Sequence, residues 1–237
     1  MSLLDGAVLR DSGENAFVVE FGDTIDPASS LKVAALTAAF DTTRPAGFVE
    51  VVPTFRSVLV IFDQDRTSRD TLLAALPAKA DESAASGPSR WQIPVAMTGD
   101  AAEDIDAAAD GLGIDADGLR QHFLAGTYQV GMYGFAPGFA YLSGVDKALA
   151  IPRRASPRPP MPAGSVILAG GMAALTSISM PTGWYVIGKT ALTLFRPDAD
   201  PMVPFAVGYL LTFTEVSEAE CAALGKTESG GTVRMSS

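Results

Sequence analysis

The sequence predicts an α+β fold in two parts, a small N-terminal α+β sandwich followed by a domain of short strands arranged as a barrel or sandwich. The 237 residues are 48% hydrophobic and only 19% charged, a balance that favours a packed core over a disordered chain. Residues 1–77 alternate strand and helix patterns. After Thr127, short strand patterns are separated by turns rich in proline and glycine.

The N-terminal domain is predicted over residues 1–77. Its strand patterns lie at residues 7–10, 16–21, 48–52 and 58–62. Asp26 followed by Pro27 is a typical helix start, and Thr67 is predicted to cap a second helix. The order β-β-α-β-β-α indicates helices on one face of an antiparallel sheet. Residues 78–90 have no apolar period and are predicted to be a linker.

The second domain is predicted over residues 91–225. Its strand patterns lie at residues 91–96, 128–135, 165–169, 185–187, 191–195 and 209–214. Asp100 and Asp115 are predicted to cap two helices, and Ser217 begins a capping-box pattern for a last one. The polar residues 226–237 predict a disordered tail.

Composition narrows the classes of function. A formal net charge of −10 argues against nucleic acid and anionic membranes as partners. The chain has one histidine, His122, and one cysteine, Cys221, so a metal site built on several such ligands is not expected. We interpret His122 as structural and Cys221 as inert. The sequence shows neither a signal peptide nor a membrane span, and a cytoplasmic location is therefore predicted.

Residues 183–190 match the pattern G-x-x-x-x-G-K-[ST] of a phosphate-binding P-loop. A P-loop needs an open loop that leads into a helix, because its backbone N–H groups must surround the phosphate. Here the four central residues are Trp, Tyr, Val and Ile, which favour strands, and another strand pattern follows. We therefore predict a β-hairpin with Lys189 near its turn.

A segment rich in glycine and aromatic residues is the first candidate for a binding site. Glycines allow a ligand to approach the backbone, and aromatic rings supply walls. The candidate residues are Gly134, Phe135, Pro137, Gly138, Phe139 and Tyr141. The alternative is a turn whose aromatic side chains only extend the core.

Three arginines, Arg153, Arg154 and Arg158, form the second candidate, in a segment with five prolines. They could bind a phosphate or carboxylate, or they could pair with the chain's own acidic residues. If they bind the ligand, replacing Arg154 or Arg158 should reduce activity and leave thermal stability nearly unchanged. Gly170 and Gly171 could form an anion-binding nest or a tight turn.

Residues 133–213 resemble the KipI family, also called allophanate hydrolase subunit 1, which includes the B subunit of bacterial 5-oxoprolinase. The resembling pieces are residues 134–144, 151–158, 162–165, 169–171, 183–184, 187–190 and 194–195, with 19–22 and 51–57 in the N-terminal part. The pattern differs from many members at residues 172–177 and 96–99. Altered specificity or loss of activity would follow if either segment touches substrate.

The resemblance implies a cyclophilin-like β-barrel as the second domain and a non-autonomous subunit of an ATP-dependent amide hydrolase. The implied reaction is opening of 5-oxoproline to glutamate, with ATP and magnesium shared with a partner. The implied partner is a KipA-like protein, allophanate hydrolase subunit 2, with a third barrel-type subunit in 5-oxoprolinase. Phosphorylation of the amide oxygen would activate the substrate, and the arginines and backbone N–H groups would hold the phosphoryl charge.

Three alternatives remain open on the sequence. The chain could be a histidine-kinase inhibitor of the KipI type that only binds its target. It could also be half of a urea-carboxylase-like carboxyltransferase, in which case biotin must arrive on another chain, because no Met-Lys-Met segment is present. A prolyl isomerase would be suggested by the barrel alone.

Overall fold

A computed structural model describes residues 2–79 and 89–235. The chain is a mixed α+β protein, as predicted, and it divides into two compact units, residues 1–87 and 88–237. Most of the linker predicted at residues 78–90 lies outside the described residues. None of the helices in the described ranges combines the length and apolar character needed to cross a bilayer.

The first unit has the predicted order β-β-α-β-β-α. Its elements are β1 (Ala7–Asp11), β2 (Ala16–Phe21), α1 (Pro27–Thr43), β3 (Phe48–Pro53), β4 (Ser57–Phe62) and α2 (Arg69–Ala75). Asp26 caps α1 as predicted, since its carboxylate accepts the N–H groups of Ala28 and Ser29 at 2.8 and 3.1 Å. The prediction of Thr67 as the second cap is wrong by one residue, because the hydroxyl of Ser68 accepts the Thr71 N–H.

The strands of the first unit form one antiparallel sheet in the order β1-β2-β4-β3. Buried residues alternate along β2 and β4, so one face of the sheet is covered. Leu36 and Phe40 of α1 and Leu72 of α2 belong to the same buried cluster as Phe17 and Val60. The helices therefore pack on one face, in agreement with the sequence pattern.

The second unit is richer in strands than in helices within its described residues. Its elements are β5 (Arg90–Val95), α3 (Ile105–Leu112), α4 (Ala116–Ala125), β6 (Tyr128–Tyr133), β7 (Ala140–Ser143), β8 (Arg158–Met161), β9 (Ser165–Ala169), β10 (Met172–Leu175), β11 (Met180–Thr182), β12 (Tyr185–Lys189), β13 (Leu210–Glu215), α5 (Glu218–Leu224) and β14 (Val233–Met235).

Two of the three predicted helix caps in this unit are confirmed. Asp115 caps α4, and Ser217 caps α5 through a complete capping box with Glu220. The prediction of Asp100 as a cap is wrong, because residues Gly99–Ala102 form a separate 3₁₀ turn and α3 starts after Asp104.

Eight strands form one sheet in the order β12-β9-β10-β7-β6-β13-β5-β14, in which β13 and β5 are parallel. A single bridge also joins Ala96, just past β5, to Lys189 of β12, with N–H···O distances of 2.8 Å in both directions. Apart from this bridge, no ladder joins β12 to β5 among the described residues. The cyclophilin-like barrel therefore stays a prediction.

Two further expectations are corrected in this unit. Residues 191–195 form no strand, because the Thr193 N–H donates to the Glu228 carbonyl and the Leu192 N–H to the Thr190 hydroxyl. The predicted disordered tail is wrong for β14, which pairs antiparallel with β5. A loop of the tail thus occupies the hydrogen-bonding groups that a neighbouring strand would use.

The second unit has buried residues on both faces of its large sheet. All five residues of β9 are buried. One face packs against α3 and α4, with Phe123, Tyr128 and Phe213 in ring contact. The other face carries a smaller cluster that includes Phe139 and Trp184. The two-stranded sheet of β8 and β11 contributes to this smaller cluster, which positions the candidate site.

Candidate functional site

The loop between β6 and β7 has a fixed backbone. The Gly134 N–H donates to the Phe139 carbonyl at 3.2 Å, and the Phe139 N–H donates to the Ala136 carbonyl at 3.1 Å. Gly138 has φ +74°, and a Cβ atom there would lie 2.7 Å from the Leu194 carbonyl oxygen. Glycine is thus required at 138 both by the backbone conformation and by the neighbouring segment.

Phe135 is the most exposed large apolar residue of this loop, at 78% of its full accessibility, and it has φ +69°. An aromatic side chain in the left-handed region is strained, and such residues concentrate at functional sites. The loop is held at Pro137, whose carbonyl accepts the Ser177 hydroxyl. Ser177 belongs to the segment 172–177 in which this sequence departs from the family pattern, so that segment contacts the candidate loop.

Four rings follow one another from this loop across the small cluster, and we call Phe135, Phe139, Tyr141 and Trp184 the aromatic row. Their successive centroids are 5.8, 4.8 and 6.0 Å apart, in tilted or edge-on arrangements. The guanidinium of Arg153 lies 5.8 Å from the Trp184 ring, within cation–π range. The row therefore connects the glycine-rich loop to the first of the three candidate arginines.

The other two arginines converge on one carboxylate. Arg154 donates to Asp104 Oδ1 at 2.7 Å, and Arg158 donates to Oδ2 at 2.6 Å. The Val186 N–H also donates to Oδ2, at 2.9 Å, and Glu103 accepts a further bond from Arg158. We call Glu103, Asp104, Arg154 and Arg158 the Asp104 cluster.

The centre of the Asp104 cluster is withdrawn from solvent, whereas Glu103 is about half exposed. The side chains of Asp104 and Arg158 are 11% and 10% exposed. Burial opposes the charge of Arg158, but the bond to Glu103 and the charge of Asp104 outweigh that effect and raise the pKa of the guanidinium. Arg154 also lies over the Tyr185 ring at 5.4 Å. These contacts tie the segment after residue 150 to the start of α3.

Arg153 differs from its two neighbours. It is exposed, and among the residues that the structure describes it has no carboxylate partner. Its ring contact with Trp184 fixes the guanidinium and leaves its hydrogen-bond donors for a ligand. The structure thus connects Arg153 through Trp184 to Tyr141 at the end of the predicted segment, and it assigns Arg154 and Arg158 to an internal ion cluster.

Gly170 and Gly171 form the two-residue turn of the β9–β10 hairpin, with φ +60° and +73°. Two successive positive φ angles are those of a type I′ turn. The Gly170 N–H donates to the Ile151 carbonyl at 2.6 Å, so it is not available to an anion. The turn interpretation accounts for both glycines.

The P-loop-like segment is a strand and not an open loop, as predicted. The predicted hairpin with Lys189 near its turn is wrong, because β12 pairs with β9 and no strand follows it at residues 191–195. β12 spans most of it, and the Lys189 N–H and carbonyl both bond to Ala96. Gly188 is buried, with a Cβ position 3.0 Å from the Ala96 carbonyl oxygen. No helix follows within the described residues before α5, so these amides cannot surround a phosphate.

The two residues interpreted as non-catalytic have local partners. His122 Nδ1 lies 3.3 Å from Asp146 Oδ2, and both side chains are about half exposed. The Cys221 thiol lies 3.5 Å from the Lys189 carbonyl, and burial raises its pKa. Within the described ranges no three His, Cys, Asp or Glu side chains are grouped as a metal site.

Sequence reasoning did not identify Glu103, Asp104 or Trp184 as parts of this region. Asp104 is separated from Arg154 and Arg158 by 50 and 54 positions in the sequence, and a local sequence pattern does not predict contacts over such separations. Trp184 did carry a signal, because a tryptophan between a glycine and a strand pattern requires a large partner surface. The excess of acidic residues indicated that some arginines would be paired, without saying which.

Comparison with known proteins places the chain in a family. Residues 7–205 match the model described as carboxyltransferase domain, subdomain C and D. The chain is 32% identical over 225 residues to the B subunit of 5-oxoprolinase from Bacillus subtilis, covering 90% of this chain and 94% of that protein. It is 30% identical over 211 residues to the Escherichia coli O157:H7 protein of the same name, covering 88% and 96%.

A solved structure extends the comparison at the level of the fold. The Kluyveromyces lactis urea carboxylase matches with a TM-score of 0.72 at 17% identity, over 97% of this chain and 24% of that chain. The chain thus spans about a quarter of that much longer protein. Taken with the family model and the two relatives, the chain belongs to the carboxyltransferase domain family, subdomains C and D, and within it to the group of KipI and the 5-oxoprolinase B subunits.

Proposed function

We propose that this chain is the B-type subunit of an ATP-dependent 5-oxoprolinase, which opens the 5-oxoproline lactam to glutamate together with a KipA-like subunit. The observation that carries the proposal is 32% identity to the B subunit of a 5-oxoprolinase along 94% of that protein's length. A similarity over nearly the full length of both chains favours the same role in the same kind of assembly.

The arrangement of the described residues supports a contributing subunit over an autonomous hydrolase. The single histidine bonds to Asp146, and the single thiol is buried beside a backbone carbonyl. Neither has the partner that a Cys–His or Ser–His nucleophile requires. The reaction would then use groups of a second subunit.

Phe135, the exposed end of the aromatic row, and Arg153 would hold the lactam. 5-Oxoproline has an apolar ring edge and one carboxylate. The exposed Phe135 ring offers an apolar wall, and the Arg153 guanidinium offers two parallel donors for the carboxylate. The Asp104 cluster would restrain Arg153, because the ion pairs of Arg154 and Arg158 fix the backbone on either side of residues 155–157 and Arg153 is bonded directly to Arg154 in the chain.

The described residues fit ATP poorly. The P-loop-like segment is a strand, the Gly170 N–H is occupied, and the charges of Arg154 and Arg158 are balanced by Asp104 and Glu103. We therefore assign the nucleotide and its magnesium to the partner subunit. ATP would supply the phosphoryl group that activates the lactam carbonyl, and this chain would orient the ring for attack by water.

The test is reconstitution. The purified chain, its KipA-like partner and the third barrel-type subunit are assayed separately and together for ATP-dependent glutamate release. Glutamate should form only when the subunits are combined. Robust turnover by this chain alone would overturn the subunit assignment, and a stable complex that leaves 5-oxoproline intact would overturn the substrate assignment.

A carboxyltransferase is the second candidate, because the family model carries that description and a urea carboxylase shares the fold. It is distinguished by a requirement for bicarbonate and a biotinylated protein, and by inhibition with avidin. A third outcome, inhibition of a histidine kinase by the chain alone, would favour a KipI-type regulator and is measured as lost autophosphorylation.

A further inference from the structure

A cavity of about 320 Å³ opens beside the bridge between Ala96 and Lys189, in the second unit. It lies between the 3₁₀ turn Gly99–Ala102 and α5, and none of its lining residues belongs to the aromatic row. Its volume is in the lower range of small-molecule sites. Small residues create the space, namely Ala96, Ala101, Ala191, Ala222 and Gly225.

Three charged side chains line this cavity, and they carry both signs. They are the ammonium of Lys189 and the carboxylates of Asp100 and Glu218. Among the residues that the structure describes, none of the three makes a side-chain hydrogen bond or an ion pair. Opposite charges that line one cavity and form no ion pair with each other are available to a ligand that binds both.

The Glu218 carboxylate lies close to the backbone of Gly99. A Cβ atom at Gly99 would overlap the Glu218 carboxylate in its present position, so glycine leaves room for this conformation of the side chain. Gly99 also has φ +55°, which suits glycine. The carboxylate therefore lies against the backbone at the cavity wall, and the side chain is accessible to solvent.

We propose that this cavity binds a small α-amino acid in its zwitterionic form, with the ligand ammonium between Asp100 and Glu218 and the ligand carboxylate on Lys189. The lining charges sum to −1, which disfavours phosphates and dicarboxylates. The alanine and glycine floor admits a short side chain and excludes a large one. This site is independent of the reaction proposed for the aromatic row.

The proposal is tested on the full chain with L-alanine as probe, using calorimetry or amide chemical shifts. L-Alanine should bind saturably, whereas N-acetyl-L-alanine, which lacks the ammonium, and L-alanine methyl ester, which lacks the carboxylate, should each bind at least about tenfold more weakly. Equal binding of all three compounds, or no binding of L-alanine at concentrations up to about 10 mM, would overturn it.

Cys221 provides a second readout, because the single thiol of the chain lines the cavity. Saturating L-alanine should slow its alkylation by iodoacetamide by at least about threefold in the native protein. Glu218→Gln and Lys189→Met should abolish both the binding and the protection, and Asp110→Asn, an exposed charge on α3, should change neither. Protection that persists in both cavity variants would overturn the proposal even if one variant were unstable.

Discussion

Arg158 Nη1 and Asp104 Oδ2 lie 2.6 Å apart, which joins two residues 54 positions distant in the chain. Arg154 donates to the other oxygen of the same carboxylate. Asp104, which directly precedes α3, therefore accepts hydrogen bonds from two guanidinium groups. A buried carboxylate that loses one of its partners keeps the cost of its desolvation. The cluster is therefore a structural element as well as a neighbour of the candidate site.

Arg158→Ala should destabilise the chain, by about 3 kcal/mol in urea unfolding, because it leaves the Asp104 carboxylate with one cation fewer. This differs from the sequence-based expectation that thermal stability would hardly change. The matched control is Arg10→Ala, which removes an exposed ion pair with Glu20 and should leave the unfolding midpoint unchanged. Equal midpoints for the two variants would contradict the structural role.

Arg153→Gln and Phe135→Ser should act on function and not on stability. Both side chains are exposed, so the melting temperature of the free chain should stay within about 2 °C of wild type. In the assembled complex each should reduce kcat/KM for 5-oxoproline by at least about tenfold.

The controls for that pair are Arg66→Gln and Val49→Ser, which remove an exposed arginine and an exposed apolar residue from the first unit. They should leave kcat/KM unchanged. If Arg153→Gln also leaves it unchanged, the lactam carboxylate is bound elsewhere.

Gly138→Ala and Gly170→Ala separate backbone strain from steric contact. Both residues have positive φ, which costs an alanine about 1–2 kcal/mol. At Gly170 no atom lies within 4 Å of the added methyl group, whereas at Gly138 the Leu194 carbonyl oxygen lies 2.7 Å away. Gly138→Ala should therefore lower the melting temperature clearly further than Gly170→Ala. Equal losses would mean that the loop can move away from residue 194.

Lys189→Ala should leave the ATP affinity of the assembled complex within a few-fold of wild type, since Lys189 lies at the end of a strand and its own N–H and carbonyl bond to Ala96. The measurement is nucleotide titration of the complex, with Lys32→Ala as the control in the first unit. A loss approaching a thousandfold, about 4 kcal/mol, would restore the P-loop interpretation.

The sequence alone predicted the features that depend on near neighbours. The first unit follows from the alternation of strand and helix patterns and from the Asp26 cap, because these signals act within a few residues. The rejection of the P-loop followed from four strand-forming residues in a row. The glycine-rich loop was likewise visible, since Gly138 marks a backbone that other residues adopt poorly.

Only the tertiary structure decided which arginine is left for a ligand. Arg153, Arg154 and Arg158 are equivalent in the sequence, and their roles differ because Asp104 and Trp184 reach them from distant strands and helices. The pairing of β14 with β5 and the cavity beside Lys189 have the same origin, since both arise where segments far apart in the chain meet. Local patterns report conformation, whereas the partner of a charge or of an unpaired strand edge is set by long-range packing.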